Sequence, residues 1–316
     1  MPSRTINPAL IVHGGAGGRA PQFERPGRRR GLLAAVEAGA RILRDGGSAL
    51  AAVVAAVVVL EDDPLFNAGY GSFLTTEGQV EMDAAVASME VVTDKTQRRA
   101  TTVSTGGVVL VRRVRNPIML ARAVMERTPH VLMGGAGAER LARSIGIKLC
   151  RPDVLISPRA HERWLAGTQG GKKASTVDRH GTVGAAAVDA HGNLAAATST
   201  GGTARKLPGR IGDSPILGAG LFVDVRGAAS ATGEGEAIIK TALCRKTVAG
   251  LGRKSAQEAS MLAIQELWTV TGSEAGVIAV DKRGRFGFAH NADAMEIATF
   301  DLNSGSRHLV VPSLVR

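Results

Sequence analysis

Residues 180–213 read HGTVGAAAVDAHGNLAAATSTGGTARKLPGRIGD. Two alternating apolar runs, 182–189 and 194–198, flank the turn AHGN (190–193), a spacing that predicts a β-hairpin. A Gly-Thr junction, Gly181-Thr182, opens the first run; Thr200 follows the second, and Arg210 and Asp213 lie three residues apart. A threonine hydroxyl is a weak nucleophile until a base takes its proton. If the chain is cut between Gly181 and Thr182, the new α-amine of Thr182 can be that base. Such an amine titrates near ~8, so a sizeable fraction is neutral at working pH. Gly181 carries no side chain to obstruct attack on its own carbonyl. The preceding residues, 157–179 (SPRAHERWLAGTQGGKKASTVDR), are polar, Gly-rich and basic with no apolar period. They read as an exposed linker that leaves room for a released end.

The rest of the chain sets bounds on this reading. Of 316 residues, 44% are hydrophobic but only 3% aromatic, and 40 are glycine, so the core must be built from Ala, Val, Leu and Gly. Strand 8–12 enters a glycine turn, 13–18. Helices are predicted over 31–44, 49–60 (capped by Ser48), 119–126 behind Pro117, 136–145, 234–249 and 255–268. Further strands fall at 80–82 and 103–114, and a second hairpin joins 276–281 to 285–290. Strand runs with helices outside them imply an α+β layered sandwich. No run approaches the uncharged ~18 residues of a membrane span, and no secretory signal with a small-residue cleavage site is visible. Cys150 and Cys244 stand far apart without a metal-ligand cluster, and free thiols in a reducing cytoplasm are expected. The formal charge of +11 includes clusters at 28–30 and 112–115. It reads as a solvated basic surface, because interleaved aromatics, a zinc motif and a long basic helix are all missing.

Taken singly, each candidate residue has a plainer role. Thr182 is an ordinary strand residue, Thr200 a buried hydroxyl bonded to backbone, and Arg210 with Asp213 a surface ion pair. Thr232-Gly233 reads as a helix N-cap, which itself offers N–H groups to an anion. The glycines of 13–18 lack the Gly-Lys-Ser/Thr of a phosphate loop.

Taken together they form a pattern. The pieces are HGGAG (13–17), PLFNAG (64–69), MDA (82–84), NPI (116–118) with AR (121–122), VME (124–126), HGTVG (180–184), TSTGG (198–202), LPGRIGDSPILGAG (207–220) and TGEGE (232–236). In this order and spacing the chain resembles the plant-type L-asparaginase/isoaspartyl peptidase family of N-terminal nucleophile hydrolases.

The resemblance implies a four-layer αββα sandwich. It implies autocleavage between Gly181 and Thr182 into an α subunit (1–181) and a β subunit (182–316) that remain one folded domain. Thr182 becomes the nucleophile, oriented by Thr200. Arg210 clamps a substrate α-carboxylate with its planar fork, and Asp213 holds the α-ammonium. Thr232 and Gly233 form the oxyanion hole, Gly235 lets backbone approach the ligand ammonium, and Asn67 lies close to the nucleophile. Carbonyls of Leu60, Glu61, Asp63, Phe66, Ala68 and Tyr70 surround a structural sodium ion, with no cofactor for catalysis. Substrates are β-aspartyl dipeptides and L-asparagine, and the αβ units pair as dimers.

Three places depart from the family pattern. Thr203-Ala204-Arg205 precede Lys206, and Arg205 adds positive charge beside the expected pocket. The stretch 89–102 (MEVVTDKTQRRATT) reads as a polar excursion where the family has Asp-Gly, and AHNADAM (289–295) matches loosely. A glycosylasparaginase would carry TSTNG, a secretion signal and disulfides. A non-catalytic, basic nucleic-acid-binding protein would have no use for the five residues Thr182, Thr200, Arg210, Asp213 and Thr232 together.

Overall fold

Strands buried on both faces read as nearly unbroken apolar runs, and such strands organise this chain. The computed structural model describes residues 6–93, 99–169 and 181–310. The elements run β1 (Ala9–Gly17), α1 (Arg25–Arg44), α2 (Ala49–Asp62), β2 (Met82–Thr93), β3 (Arg99–Val111), α3 (Pro117–Arg127), β4 (Leu132–Gly134), α4 (Gly135–Ser144) and α5 (Pro158–Gln169). After these come β5 (Val183–Val188), β6 (Leu194–Thr200), β7 (Leu221–Asp224), β8 (Gly227–Gly233), α6 (Gly235–Thr241), α7 (Leu243–Gly250) and α8 (Ala256–Thr271). The chain ends on β9 (Ala275–Asp281), β10 (Phe286–His290), β11 (Ala294–Asp301) and β12 (Arg307–Val310).

Two sheets result, ordered β12-β11-β1-β5-β6-β2-β3-β4 and β10-β9-β8-β7. All pairings are antiparallel except β3 with β4. The period of two sorts the side chains. Leu10, Val12, Val183, Ala185 and Ala187 pack with Leu32, Val36, Val53 and Val57 of α1 and α2. Ile11, Ala186, Val188 and Ala196 turn the other way, onto Leu221, Ala228, Ile278 and Val280 of the smaller sheet. That sheet's outer face, with Ala229, Ala231, Val277 and Ala279, carries Ile238, Leu243, Val248, Ile264 and Leu267 of α6–α8. Alanine is what lets the two sheets come close, so the low aromatic content is a packing requirement. Gly184 sits at the tightest point: a Cβ there would lie 2.0 Å from Ser230 Oγ and 2.5 Å from His13 Nε2. Overpacking of this kind costs about 1–3 kcal/mol. Gly184→Ala is therefore expected to lower the thermal unfolding midpoint by several degrees, and an unchanged midpoint would contradict the packing described.

Several sequence expectations are corrected. The glycines of 13–17 do not turn. They continue β1 through a bulge between His13 and Ala16 opposite β11, made possible by Gly15 at φ +111. The supposed polar excursion 89–102 consists largely of the paired arms of β2 and β3, with Glu90 opposite Thr102; residues 94–98 lie outside the described ones. The linker expected over 157–179 begins as helix α5, where Ser157 Oγ accepts from the Ala160 N–H at 3.2 Å. Trp164 Nε1 donates to Thr75 O at 3.0 Å, and Arg159 grips Glu24 at 2.8 and 2.6 Å. Its second half and His180 fall outside the described residues. The helix expected over 234–249 breaks at Ala242, whose φ is +50. Cys150 and Cys244 are both free, the latter buried. Among the described residues no helix is long and apolar enough to cross a membrane.

Candidate active site

Thr182 immediately precedes β5, in the middle of the large sheet, and is 5% exposed. The register Val183↔Ser199 brings it beside Thr200, the last residue of β6. Thr182 Oγ1 donates to Thr200 Oγ1 at 3.1 Å, and Thr200 Oγ1 is itself fixed by the Gly202 N–H at 2.9 Å. From the facing sheet, Thr232 Oγ1 accepts from Thr182 N at 3.3 Å and from Ala16 N at 3.1 Å. Thr200 and Thr232 thus converge on Thr182. Thr232 and Gly233 end strand β8, and the helix cap is Glu234, so the N-cap reading of Thr232-Gly233 is wrong. Gly233 has φ +138, and a Cβ there would meet Glu274 O at 2.6 Å.

Gly181 is pressed between two backbones. A Cβ on Gly15 would lie 2.9 Å from Gly181 Cα, and one on Gly181 would lie 3.3 Å from Asn67 Cβ. Asn67 Nδ2 donates to Gly202 O at 2.6 Å and its Oδ1 accepts from Phe73 N at 2.7 Å. Asn67 therefore locks its own loop to the turn after β6, next to the Gly181-Thr182 bond.

Three residues beyond Thr232, Gly235 borders a second cluster. Its missing Cβ would stand 2.7 Å from Arg210 Nη2 and 2.9 Å from Asp213 Oδ1. Arg210 does not pair with Asp213. Its Nε and Nη2 donate to Glu236 at 2.9 and 2.7 Å, leaving the Nη1/Nη2 edge flanked by Gly212 and Gly235, neither of which has a side chain. Asp213 is 4% exposed and its Oδ2 has no hydrogen-bond partner among the described residues. Burial pushes this carboxyl up to about 7, against the pull of its own backbone N–H and of Arg210. A buried carboxylate oxygen beside a guanidinium edge is suited to an amino-acid head, with its ammonium and carboxylate. Glu236 was visible in the sequence only as part of TGEGE; its hold on Arg210 is a tertiary contact with no local signal.

Two further buried side chains had no role assigned from the sequence. His13 Nε2 lies 3.0 Å from Ser230 Oγ, which lies 2.8 Å from Thr198 Oγ1. Burial drives His13 down to about 3, so it stays neutral and is no proton acceptor for Thr182. Glu61 accepts from Ser199 Oγ at 2.6 Å and Ile118 N at 3.0 Å, and burial pushes it up to about 8. The loosely matched 289–295 stretch supplies Asn291. It accepts from Ala275 N at 2.7 Å and donates to Ser273 O at 3.0 Å, bracing the strand opposite Gly233. Arg205 packs against α5: a Cβ on Gly167 would sit 3.0 Å from its Cδ.

In the loop 60–71, Asp63 O accepts from Phe66 N and Ala68 O from Gly71 N, each at 3.1 Å. A Cβ on Gly69 would meet Glu61 O at 2.3 Å, and one on Gly71 would meet Phe66 O at 2.0 Å. The loop is thus wound tightly around its own carbonyls. Among the described residues, no group of three His, Cys, Asp or Glu side chains could hold a metal ion. On the far side of Gly181 opens a cavity of about 400 Å³, lined by the β1 glycines, Asn67, Phe73 and six arginines.

Comparisons with known proteins identify the family. A family model described as asparaginase matches residues 6–310. The human protein named isoaspartyl peptidase/L-asparaginase is 41% identical over 283 residues, covering 88% of each chain. The Bos taurus protein of that name is 40% identical over 295 residues, 92% of each. The isoaspartyl peptidase of Salmonella typhimurium is 41% identical over 307 residues, 92% of this chain and 94% of its own. The family match spans the threonine cluster, the Arg210–Asp213 loop and both sheets, and this chain belongs to the asparaginase family that it defines.

Proposed function

We propose that the protein is an autoprocessing amidohydrolase that cleaves β-aspartyl (isoaspartyl) dipeptides and, more weakly, L-asparagine, with Thr182 as nucleophile. One observation carries this reading. The Thr182 hydroxyl and backbone nitrogen are held by Thr200 and Thr232 at 3.1 and 3.3 Å, and an amino-acid head site begins at Gly235. Gly235 lies only three residues beyond Thr232, which keeps the head site within ~10 Å of that threonine. Resemblance to the curated relatives supports the substrate class.

In the processing step Thr182 Oγ attacks the Gly181 carbonyl carbon. The C–N bond breaks, leaving Gly181 esterified to Oγ and freeing the Thr182 amine; water then hydrolyses the ester, releasing the Gly181 carboxylate and restoring the hydroxyl. In turnover that amine takes the hydroxyl proton as Oγ attacks the substrate side-chain carbonyl. The Thr232 hydroxyl and Gly233 N–H receive the oxyanion, and the proton passes to the departing amine. Water then releases aspartate from the β-aspartyl ester. Throughout, Arg210 holds the α-carboxylate through its Nη1/Nη2 edge and Asp213 holds the α-ammonium.

The two sheets, with α1–α5 outside one and α6–α8 outside the other, constitute the four-layer αββα sandwich in this reading, and residues 1–181 and 182–316 its two subunits. Carbonyls of Leu60, Glu61, Asp63, Phe66, Ala68 and Tyr70 would hold a sodium ion that stiffens the loop behind Asn67. Neutral oxygen donors suit a hard cation, and Gly69 and Gly71 allow the tight winding. Two αβ units pair in solution, in the cytoplasm. Intact-mass measurement of purified protein is expected to show two polypeptides, the second starting at Thr182, together with aspartate release from β-aspartyl peptides. An active protein still joined across 181 and 182 would overturn the reading.

A further inference from the structure

We infer that the cavity on the Gly181 side of Thr182 is a leaving-group subsite, and that its arginine wall selects β-aspartyl peptides whose departing residue is anionic. This rests on the function proposed above and specifies it. The cavity shares Gly181 with the cleavage point, and Gly15, also in its wall, lies against Gly181 and Thr182. Arg210, Asp213 and Gly235 are not part of it. A substrate whose aspartyl head fills that second cluster can extend its departing residue past Thr182 into this opening. The volume, about 400 Å³, falls in the ~300–1,000 Å³ range of small-ligand clefts. It far exceeds what ammonia, the group released from asparagine, could use.

The wall is strongly one-sided in charge. Six arginines line it against two carboxylates, Asp293 and Glu296. Some of the cations are structural. Arg28 is held by Glu296 at 3.2 Å, Leu65 O at 2.7 Å and Gly14 O at 2.9 Å, and lies over the Phe66 ring. Arg159 is clamped by Glu24. Arg19 and Arg29, by contrast, are exposed and make no ion pair among the described residues. Positive charge along a cleft with low-dielectric walls focuses the field on what enters. A guanidinium binds carboxylate with directed, charge-assisted hydrogen bonds. Every dipeptide leaving group carries one carboxylate; glutamate or aspartate carries two.

The test compares β-aspartyl-glutamate with its isostere β-aspartyl-glutamine, and both with L-asparagine, using processed protein. The wild type is expected to favour the glutamate peptide in kcat/KM by about 5–10-fold at low ionic strength, the margin shrinking as salt screens it. Arg19→Gln/Arg29→Gln leaves the Arg28 and Arg159 contacts in place. It is expected to narrow the preference to within about twofold, with L-asparagine turnover and the unfolding midpoint unchanged. Equal kcat/KM for the two peptides in the wild type overturns the inference and leaves the proposed function standing. So does a uniform loss on all three substrates in the double variant. Absence of turnover of every β-aspartyl peptide removes the proposed function and this inference with it.

Discussion

A Thr182→Ala protein is expected to remain one uncut 316-residue chain and to release no aspartate from β-aspartyl peptides. In the proposed reaction the substitution removes the oxygen that attacks Gly181 and, after processing, the substrate. No nearby group can replace it. Thr200 Oγ1 is occupied by the Gly202 N–H at 2.9 Å, and neutral, buried His13 faces Ser230. The loss in kcat/KM should be on the order of 10⁵ or more, as for other enzymes stripped of their nucleophile. The fold should survive. One buried hydroxyl bond is lost, worth about 1 kcal/mol, and Thr200 keeps its backbone donor. Thr182→Ser, which keeps an oxygen in place, should process and turn over slowly. Gel mobility, intact mass and an aspartate assay decide the matter, and cleavage in the alanine variant would remove Thr182 as nucleophile.

How far the chain could be read before folding depended on where the information was local. The β5–β6 hairpin was legible because two short apolar runs flank the turn AHGN, and its register alone makes Thr182 and Thr200 neighbours. Helix α2 was legible from Ser48, whose Oγ caps Ala51 N at 3.2 Å. Elsewhere the local signal misled. HGGAG looked like a turn because glycine marks positive φ, yet here the positive φ of Gly15 makes a bulge inside a buried strand. The outer arms of β2 and β3 looked like loop because Glu90 and Thr102 face solvent. Helix α5 has too few apolar residues to show a period; Trp164 and the Arg159–Glu24 pair hold it instead. In the site, residue types disclosed the chemistry but not the partnerships. Arg210 and Asp213 are close in sequence and were natural partners on paper. Only the fold brings Glu236 to the guanidinium and leaves Asp213 Oδ2 without a hydrogen-bond partner among the described residues.

That unpaired carboxyl should make Asp213→Asn a more stable protein and a nearly inactive enzyme. In the unfolded chain an aspartate ionises near 3.8; in the fold, burial lifts Asp213 to about 7. Between those values the folded state keeps a proton that the unfolded state has lost, so stability falls as pH rises through the window, and the deficit is complete above pH 7. Roughly three units at ~1.4 kcal/mol each bound the deficit at about 4 kcal/mol. Asparagine has no charge to bury, so the variant's unfolding midpoint should exceed the wild type's at pH 8 and match it near pH 4. Binding runs the other way. A substrate ammonium needs the ionised form, so below pH 7 wild-type kcat/KM should fall by about a further tenfold per unit beyond the fall set by protonation of the Thr182 amine. Above pH 7 the variant should lose about 10²–10³-fold, the scale of a buried charge left without its partner, and the deficit should close at lower pH as the wild-type carboxyl takes up its proton. Autocleavage, which involves no ammonium, should proceed at the wild-type rate. An Asp213→Asn enzyme that kept wild-type kcat/KM on β-aspartyl peptides would show that the ammonium sits elsewhere, and a midpoint unchanged at pH 8 would show that the carboxyl is not strained.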